Sequence, residues 1–255
     1  MNSELINYHK ANEIYERVLQ IFKYDKEKDV KARDILYEFR KNYDPEEKIK
    51  SIEEKMIDKS LFFFGAGPNL IEHLRFIEEK IKSNRNKYFI VAADGSARAL
   101  ENFSIIPDLI FSDLDGLNYN QIENFIKLKS TIIIHGHGDN IKKLQNFKSI
   151  LSRVSENIIC TTQVKSRYPI INPGGFTDGD RGIYFCHILA PNDQDFILFG
   201  YEFENKIGVF SKNEYTQDQA LTPTKKKKLL VCKKLLNELS ILEKRSIIFY
   251  QLNEK

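Results

Sequence analysis

The stretch Leu61-Phe62-Phe63-Phe64-Gly65-Ala66-Gly67-Pro68-Asn69 decides the fold class. Four consecutive apolar residues, too short a run for a helix and rich in aromatics, read as a buried strand. Two glycines then turn the chain, and Pro68 fixes the first turn of a helical period over residues 69–81. The same texture recurs downstream. Apolar runs at 88–93, 109–111, 131–134, 157–160 and 196–199 each end in a polar or glycine-rich cluster, with helical periods at 122–128 and 141–151 between them. Strand and helix alternate, so the expected fold is α/β, a doubly wound and mostly parallel sheet.

Upstream, residues 3–57 carry Leu5, Ile6, Ile14, Val18, Leu19, Ile21, Phe22, Ile35, Leu36 and Phe39 among charged residues at roughly helical spacing. This predicts an N-terminal helical appendage of two or three amphipathic helices that packs on the rest. Asp44-Pro45-Glu46-Glu47 is a helix start, with Asp as N-cap and Pro at the first helical position. The expected division is a helical region over 1–57 and an α/β catalytic domain over 58–255. Downstream, Thr222-Pro223-Thr224 opens a closing helix over about 223–240, with Leu229, Cys232, Leu235, Leu236 and Leu239 on one face. Lys225 to Lys228 are expected at its solvated start, the favoured reading, although four cations there oppose the helix dipole and could serve an anionic ligand; 246–252 is expected as a closing strand.

Composition excludes several classes. With 255 residues, 42% hydrophobic and 29% charged, the chain reads as a soluble globular protein. The longest apolar run, 183–190, falls far short of the ~18 residues of a spanning helix, so no membrane is expected. A net charge of +3 gives no argument for nucleic acid. Cys160, Cys186 and Cys232 are isolated and read as small core residues. The opening Met1-Asn2-Ser3-Glu4-Leu5 has no basic start or apolar stretch, and residence in the cytoplasm is expected. A homo-oligomer stays open. Of 12 glycines, ten fall between Gly65 and Gly182 in tight groups, which marks deliberate backbone turns.

In an open parallel sheet, ligands bind beyond the carboxyl ends of the strands, so the residues that follow each apolar run matter most. Here they are mainly acids and glycines. Asp94, Asp113, Asp115 and Asp139 would gather at one rim, where four carboxylates repel unless they take up protons or a cation compensates them. Oxygen ligands favour a hard ion, and Mg²⁺ shares its remaining positions with phosphate oxygens and water. Gly65-Ala66-Gly67 can bring backbone N–H groups close to a phosphate. A dinucleotide fingerprint lacks its third glycine, because position 70 is Leu, although Asp94 would stand where a ribose ligand is needed. His135-Gly136-His137-Gly138-Asp139 resembles the start of a metallo-β-lactamase-type hydrolase site, which needs more histidines than remain. His187 sits in the apolar 183–190 run and reads as a core imidazole. In Asp178-Gly179-Asp180-Arg181, the Arg can fork onto phosphate oxygens while a carboxylate accepts bonds from a polar heterocycle.

Together, Gly65-Ala66-Gly67-Pro68, Ala93-Asp94-Gly95, Pro107-Asp108, Ser112-Asp113-Leu114-Asp115-Gly116, His135-Gly136-His137-Gly138-Asp139-Asn140, Thr161-Thr162-Gln163 and Gly174-Gly175-Phe176-Thr177-Asp178-Gly179-Asp180-Arg181 closely resemble the archaeal 6-hydroxymethyl-7,8-dihydropterin pyrophosphokinase family. The match runs over about residues 61–212. It departs at Pro173, where an aromatic is expected, at Asn69, where Ser is expected, and at Glu202, where Asp is usual. The resemblance implies transfer of diphosphate from ATP to a reduced pterin with release of AMP, in tetrahydropterin or folate-type cofactor synthesis. A more distant similarity is to the catalytic domain of thiamin pyrophosphokinases, with Asp94, Asp113, Asp115 and Asp139 in the matching places for Mg²⁺ and diphosphate. The implied roles are metal ligation by those four; phosphate positioning by Gly65, Gly67, Pro68, Asn69 and Arg181; proton acceptance by an aspartate or His137; and pterin binding by Asp178 or Asp180. Gly95, Asn140, Thr162, Gln163, Gly174 and Gly175 complete the expected substrate-binding set. Alternatives are a metal-dependent nucleotide-sugar glycosyltransferase-like enzyme, a thiamin pyrophosphokinase-like enzyme, or a nucleotide-binding module without turnover.

Overall fold

A computed structural model describes residues 7–152 and 156–252. Leu5 and Ile6 lie outside the described residues. The chain opens with three helices, α1 (Ala11–Phe22), α2 (Lys26–Arg40) and α3 (Glu46–Met56). Asp25 caps α2 by accepting the Glu27 and Lys28 amides, whereas α3 starts one residue later than expected, with Pro45 at the N-cap and Asp44, just before it, accepting the Glu46 amide at 2.9 Å. Strands and helices then alternate: β1 (Ser60–Phe64), α4 (Leu70–Ser83), β2 (Tyr88–Ala93), α5 (Ser96–Asn102), β3 (Leu109–Ser112), α6 (Tyr119–Lys127), β4 (Thr131–Gly136), α7 (Ile141–Asn146), α8 (Lys148–Leu151) and β5 (Ile158–Thr162). After a long loop come α9 (Asp178–Leu189), β6 (Phe196–Phe199), the short hairpin β7 (Lys206–Ile207) and β8 (Gln219–Ala220), α10 (Pro223–Leu242) and β9 (Ile247–Phe249).

The sheet has seven strands in the order β5-β4-β3-β2-β1-β6-β9, every neighbouring pair parallel. Side chains along a strand point alternately to opposite faces, and the two cores follow that alternation. Leu61, Phe63, Phe89, Val91, Leu109 and Phe111 pack against α3, α9 and α10. Phe62, Phe64, Ile90, Ala92, Ile110 and Ile132 pack against α4 to α8. Helices on both faces make the fold doubly wound. The order reverses at β1, which places a crevice at its carboxyl end.

The first three helices are built into these same cores. Ala11, Ile14, Ile49, Ile52 and Met56 join one, and Ala32 and Leu36 the other. The expected single helix over 141–151 breaks at Phe147, leaving α7 and α8. The β7–β8 hairpin and α5 carry no period long enough to read in the sequence. All three cysteines are buried and free. His187 accepts the Arg245 Nε–H at Nδ1, 3.1 Å away, so the imidazole is held as expected, but it is half-buried rather than in the core. No helix of the described residues is long and apolar enough to cross a membrane.

Candidate active site

Three loops at the carboxyl rim bring acids together. Asp94 follows β2 with φ 47° and its amide donates to Phe111 O. Ser112 Oγ donates to Asp94 Oδ1 at 2.6 Å. A Cβ at Gly116 would stand 2.4 Å from Asp94 Oδ2 and 2.6 Å from the Gly95 nitrogen, so only glycine lets the β3 loop lie against this carboxylate. Oxygens of Asp94, Asp113 and Asp178 lie within 4.8 Å of one another. Burial, then the charge of Asp113, pushes Asp94 up to about 8. Burial with Asp113 and Asp94 nearby likewise raises Asp178 well above the carboxylate range. Burial works to raise Asp113 too, but the His137 ring, the Asp115 amide and Lys143 outweigh it and hold this carboxyl low. Three crowded acids, two of them driven toward protonation for want of positive charge, are the donor set a hard divalent ion fits.

The acids stand between two cavities. The first, of about 340 Å³, lies toward the β4 and β5 loops and is lined by His135, His137, Gln163 and Phe176, with Tyr24 and Asp29 from the first helices. The second, of about 390 Å³, lies under the β7–β8 hairpin and is lined by Gly65, Gly67, Asp94, Gly95, Asp115 and Tyr201. Asp113, Thr177, Asp178, Lys225 and Lys228 border both. Lys225 and Lys228, read from sequence as solvated, thus face the site, whereas Lys226 and Lys227 are exposed. Burial pulls the Lys225 ammonium down, against the pull of Asp113, Asp178 and Asp94.

The other expected residues divide by what their polar atoms already hold. Asp115 lines the second cavity and pairs with Lys143 on α7. Asp139 is exposed on the first, where its amide donates to His137 Nδ1 at 3.3 Å. That bond leaves the His137 proton on Nε2, 3.4 Å from Asp113 Oδ2. Asn140 braces the rim, donating to Asp113 O and His135 O. Asp180 is consumed: its carboxylate accepts the Phe176 and Thr177 amides, each at 2.7 Å, and closes a capping box with Thr177. Arg181 is fully buried and donates to Gly174 O at 2.9 Å and Phe176 O at 3.2 Å. Neither lines either of these two cavities. Gly174 and Gly175 have φ of 83° and 74°, which the tight turn over Arg181 requires. Thr162 is buried, with Oγ1 accepting the Val164 amide. The amides of Gly65 and Gly67 donate to Phe199 O and Gly200 O, both at 2.8 Å, so these glycines serve close packing of the β1 and β6 loops. Pro68 and Asn69 open α4 behind that turn and line neither cavity.

The model of the 6-hydroxymethylpterin diphosphokinase MptE-like family matches residues 33–208. The chain belongs to this family. A 6-hydroxymethyl-7,8-dihydropterin pyrophosphokinase of Methanocaldococcus jannaschii is 33% identical over 233 residues, covering 88% of this chain and 92% of its own. One of the same name from Pyrococcus furiosus is 32% identical over 245 residues, covering 93% and 96%. Among solved structures, the MAf glycosyltransferase of Magnetospirillum magneticum AMB-1 aligns with a TM-score of 0.38 and 14% identity, over 68% of this chain and 28% of its own. The family match begins inside α2, so Tyr24 and Asp29 of the first cavity precede it.

Proposed function

We propose that the chain transfers diphosphate from ATP to the hydroxymethyl oxygen of 6-hydroxymethyl-7,8-dihydropterin, with AMP as the second product. The observation that carries this reading is the shared wall of Asp113, Asp178, Lys225 and Lys228, across which two substrates in separate cavities would meet. The alcohol oxygen bonds to the β-phosphorus, the bond from that phosphorus to the oxygen bridging to the α-phosphorus breaks, and AMP leaves with that oxygen. Two bound reactants held face to face convert the encounter into a step within one complex.

Asp94, Asp113 and Asp178 would hold Mg²⁺, which when bound supplies charge neutralisation on the triphosphate. Lys225 and Lys228 add positive charge from the first two turns of α10. An oxygen of Asp178 not engaged by the ion would take the alcohol proton. His137, with its proton directed at Asp113, positions that carboxylate. The family relatives' names support a pterin acceptor. ATP as donor fits a cytoplasmic step in tetrahydropterin or folate-type cofactor synthesis.

The test is direct. Purified protein with ATP, Mg²⁺ and the hydroxymethyl dihydropterin should release AMP, and chromatography of the nucleotides distinguishes it from ADP. Asp113→Asn should lower the rate by about two orders of magnitude or more while leaving the circular dichroism spectrum unchanged. Release of ADP, or turnover of thiamin or a nucleotide-sugar in its place, would count against the reading.

A further inference from the structure

The first cavity has two buried polar atoms that find no hydrogen-bond partner within the described chain: His135 Nε2 and the Tyr24 hydroxyl. Leaving such atoms buried and unpaired is costly, so a cavity that gathers them is shaped for something that pairs them. His135 is 4% exposed. Its Nδ1 lies 3.0 Å from Thr161 Oγ1, whose own proton points to Ile134 O at 3.5 Å. The Nδ1–H is therefore the donor, and Nε2 presents a lone pair. Burial, with Arg181 and His137 adjacent, drives the ring well below its ordinary value and keeps it neutral, against the opposing pull of the Gln163 side chain, which lies within hydrogen-bond reach.

Gln163 is fixed as well. Its Nε2 donates to Asp29 Oδ2 at 2.8 Å, so its Oε1 is the atom left to accept. Asp29 is 3% exposed and holds this arrangement from α2, accepting also the Tyr15 hydroxyl at 2.5 Å and the Gly138 amide at 2.6 Å. One carboxylate thus ties α1, α2 and the loops after β4 and β5. Two aromatic rings of the lining, Tyr24 and Phe176, pack on Phe22 behind them at 5.3 Å and 5.1 Å, and the Lys228 ammonium lies 5.7 Å from the Tyr24 ring. The walls therefore offer flat apolar surface at the rim and fixed acceptors at depth.

We propose that this cavity is the pterin subsite and that the N-terminal turn completes it: His135 Nε2 and Gln163 Oε1 accept from the N–H groups of the ring's aminopyrimidinone edge, and Tyr24 closes over it. The assignment rests on the pterin-transferring activity proposed above. A pterin carries its ring N–H and 2-amino donors at the end opposite its hydroxymethyl group. With that edge at His135 and Gln163, the hydroxymethyl group points to the Asp113–Asp178 wall. The second cavity, on the far side of the wall, takes the nucleotide.

Steady-state kinetics with each substrate varied, together with fluorescence titration of the reduced pterin and calorimetry with a non-hydrolysable ATP analogue, test the assignment. Tyr24→Ala, in a surface turn, and His135→Phe, which keeps ring shape but removes the acceptor, should each raise KM and Kd for the pterin tenfold or more. KM and Kd for the nucleotide should stay within twofold. If the nucleotide constants rise instead, or neither set moves, the subsite assignment is overturned while the activity stands. If the unaltered protein neither binds nor turns over the pterin, the activity reading fails and this assignment with it.

Discussion

At the residue scale, the site is a problem of too much negative charge in too little water. Asp94 holds a proton up to about pH 8 because burial and Asp113 disfavour its charge. An unfolded Asp gives up its proton near pH 4, so between these limits the folded, metal-free protein binds the extra proton. Its stability therefore falls as pH rises from about 4 to about 8. Thermal unfolding across that range should show Asp94→Asn free of this component, and saturating Mg²⁺ should flatten the slope in the unaltered protein. Arg181 illustrates the opposite case, a cation spent on the fold. Arg181→Met should lower stability by about 2–4 kcal/mol in urea titration, since the Gly174 and Phe176 carbonyls lose their donor. A variant that kept its stability and lost affinity for ATP would place the guanidinium on phosphate instead.

At the scale of elements, loop geometry does what side-chain identity alone does not reveal. The Gly95 turn passes so close beneath the segment after β7 that a Cβ there would stand 1.8 Å from Phe210 O, and Arg98 ties the same segment through Phe210 O and Lys212 O. Gly95→Ala should displace this strap over the second cavity and raise KM for ATP tenfold or more, with pterin binding little changed. The acids after β2 and β3 are legible in the sequence because a strand in a parallel sheet delivers its last residue to a known rim. Lys225 and Lys228 are not. Four consecutive lysines at a helix start look alike until packing of α10 on α9 decides which two turn inward. Asp29 was equally hidden, since an acid in a charged helix reads as solvated until the helix is docked.

At the scale of the molecule, the first helices are structural members as well as cavity wall. Ala11, Ile14, Ala32 and Leu36 are buried in the two cores that flank the sheet. A chain lacking residues 1–40 should therefore show no cooperative thermal transition, as calorimetry can check; a folded truncated protein would mean the cores close without them. By itself the sequence determined the alternation of strand and helix, the doubly wound class and the rim where acids gather, because side-chain period and turn residues are local properties of the chain. Only the tertiary structure decided that Asp178 on α9 joins Asp94 and Asp113, that Asp180 and Arg181 are spent on their own loop, and that two lysines of α10 face the acids. Those outcomes depend on how each element is rotated and set down against its neighbours, which is fixed by packing across the sheet and leaves no periodic trace in the chain.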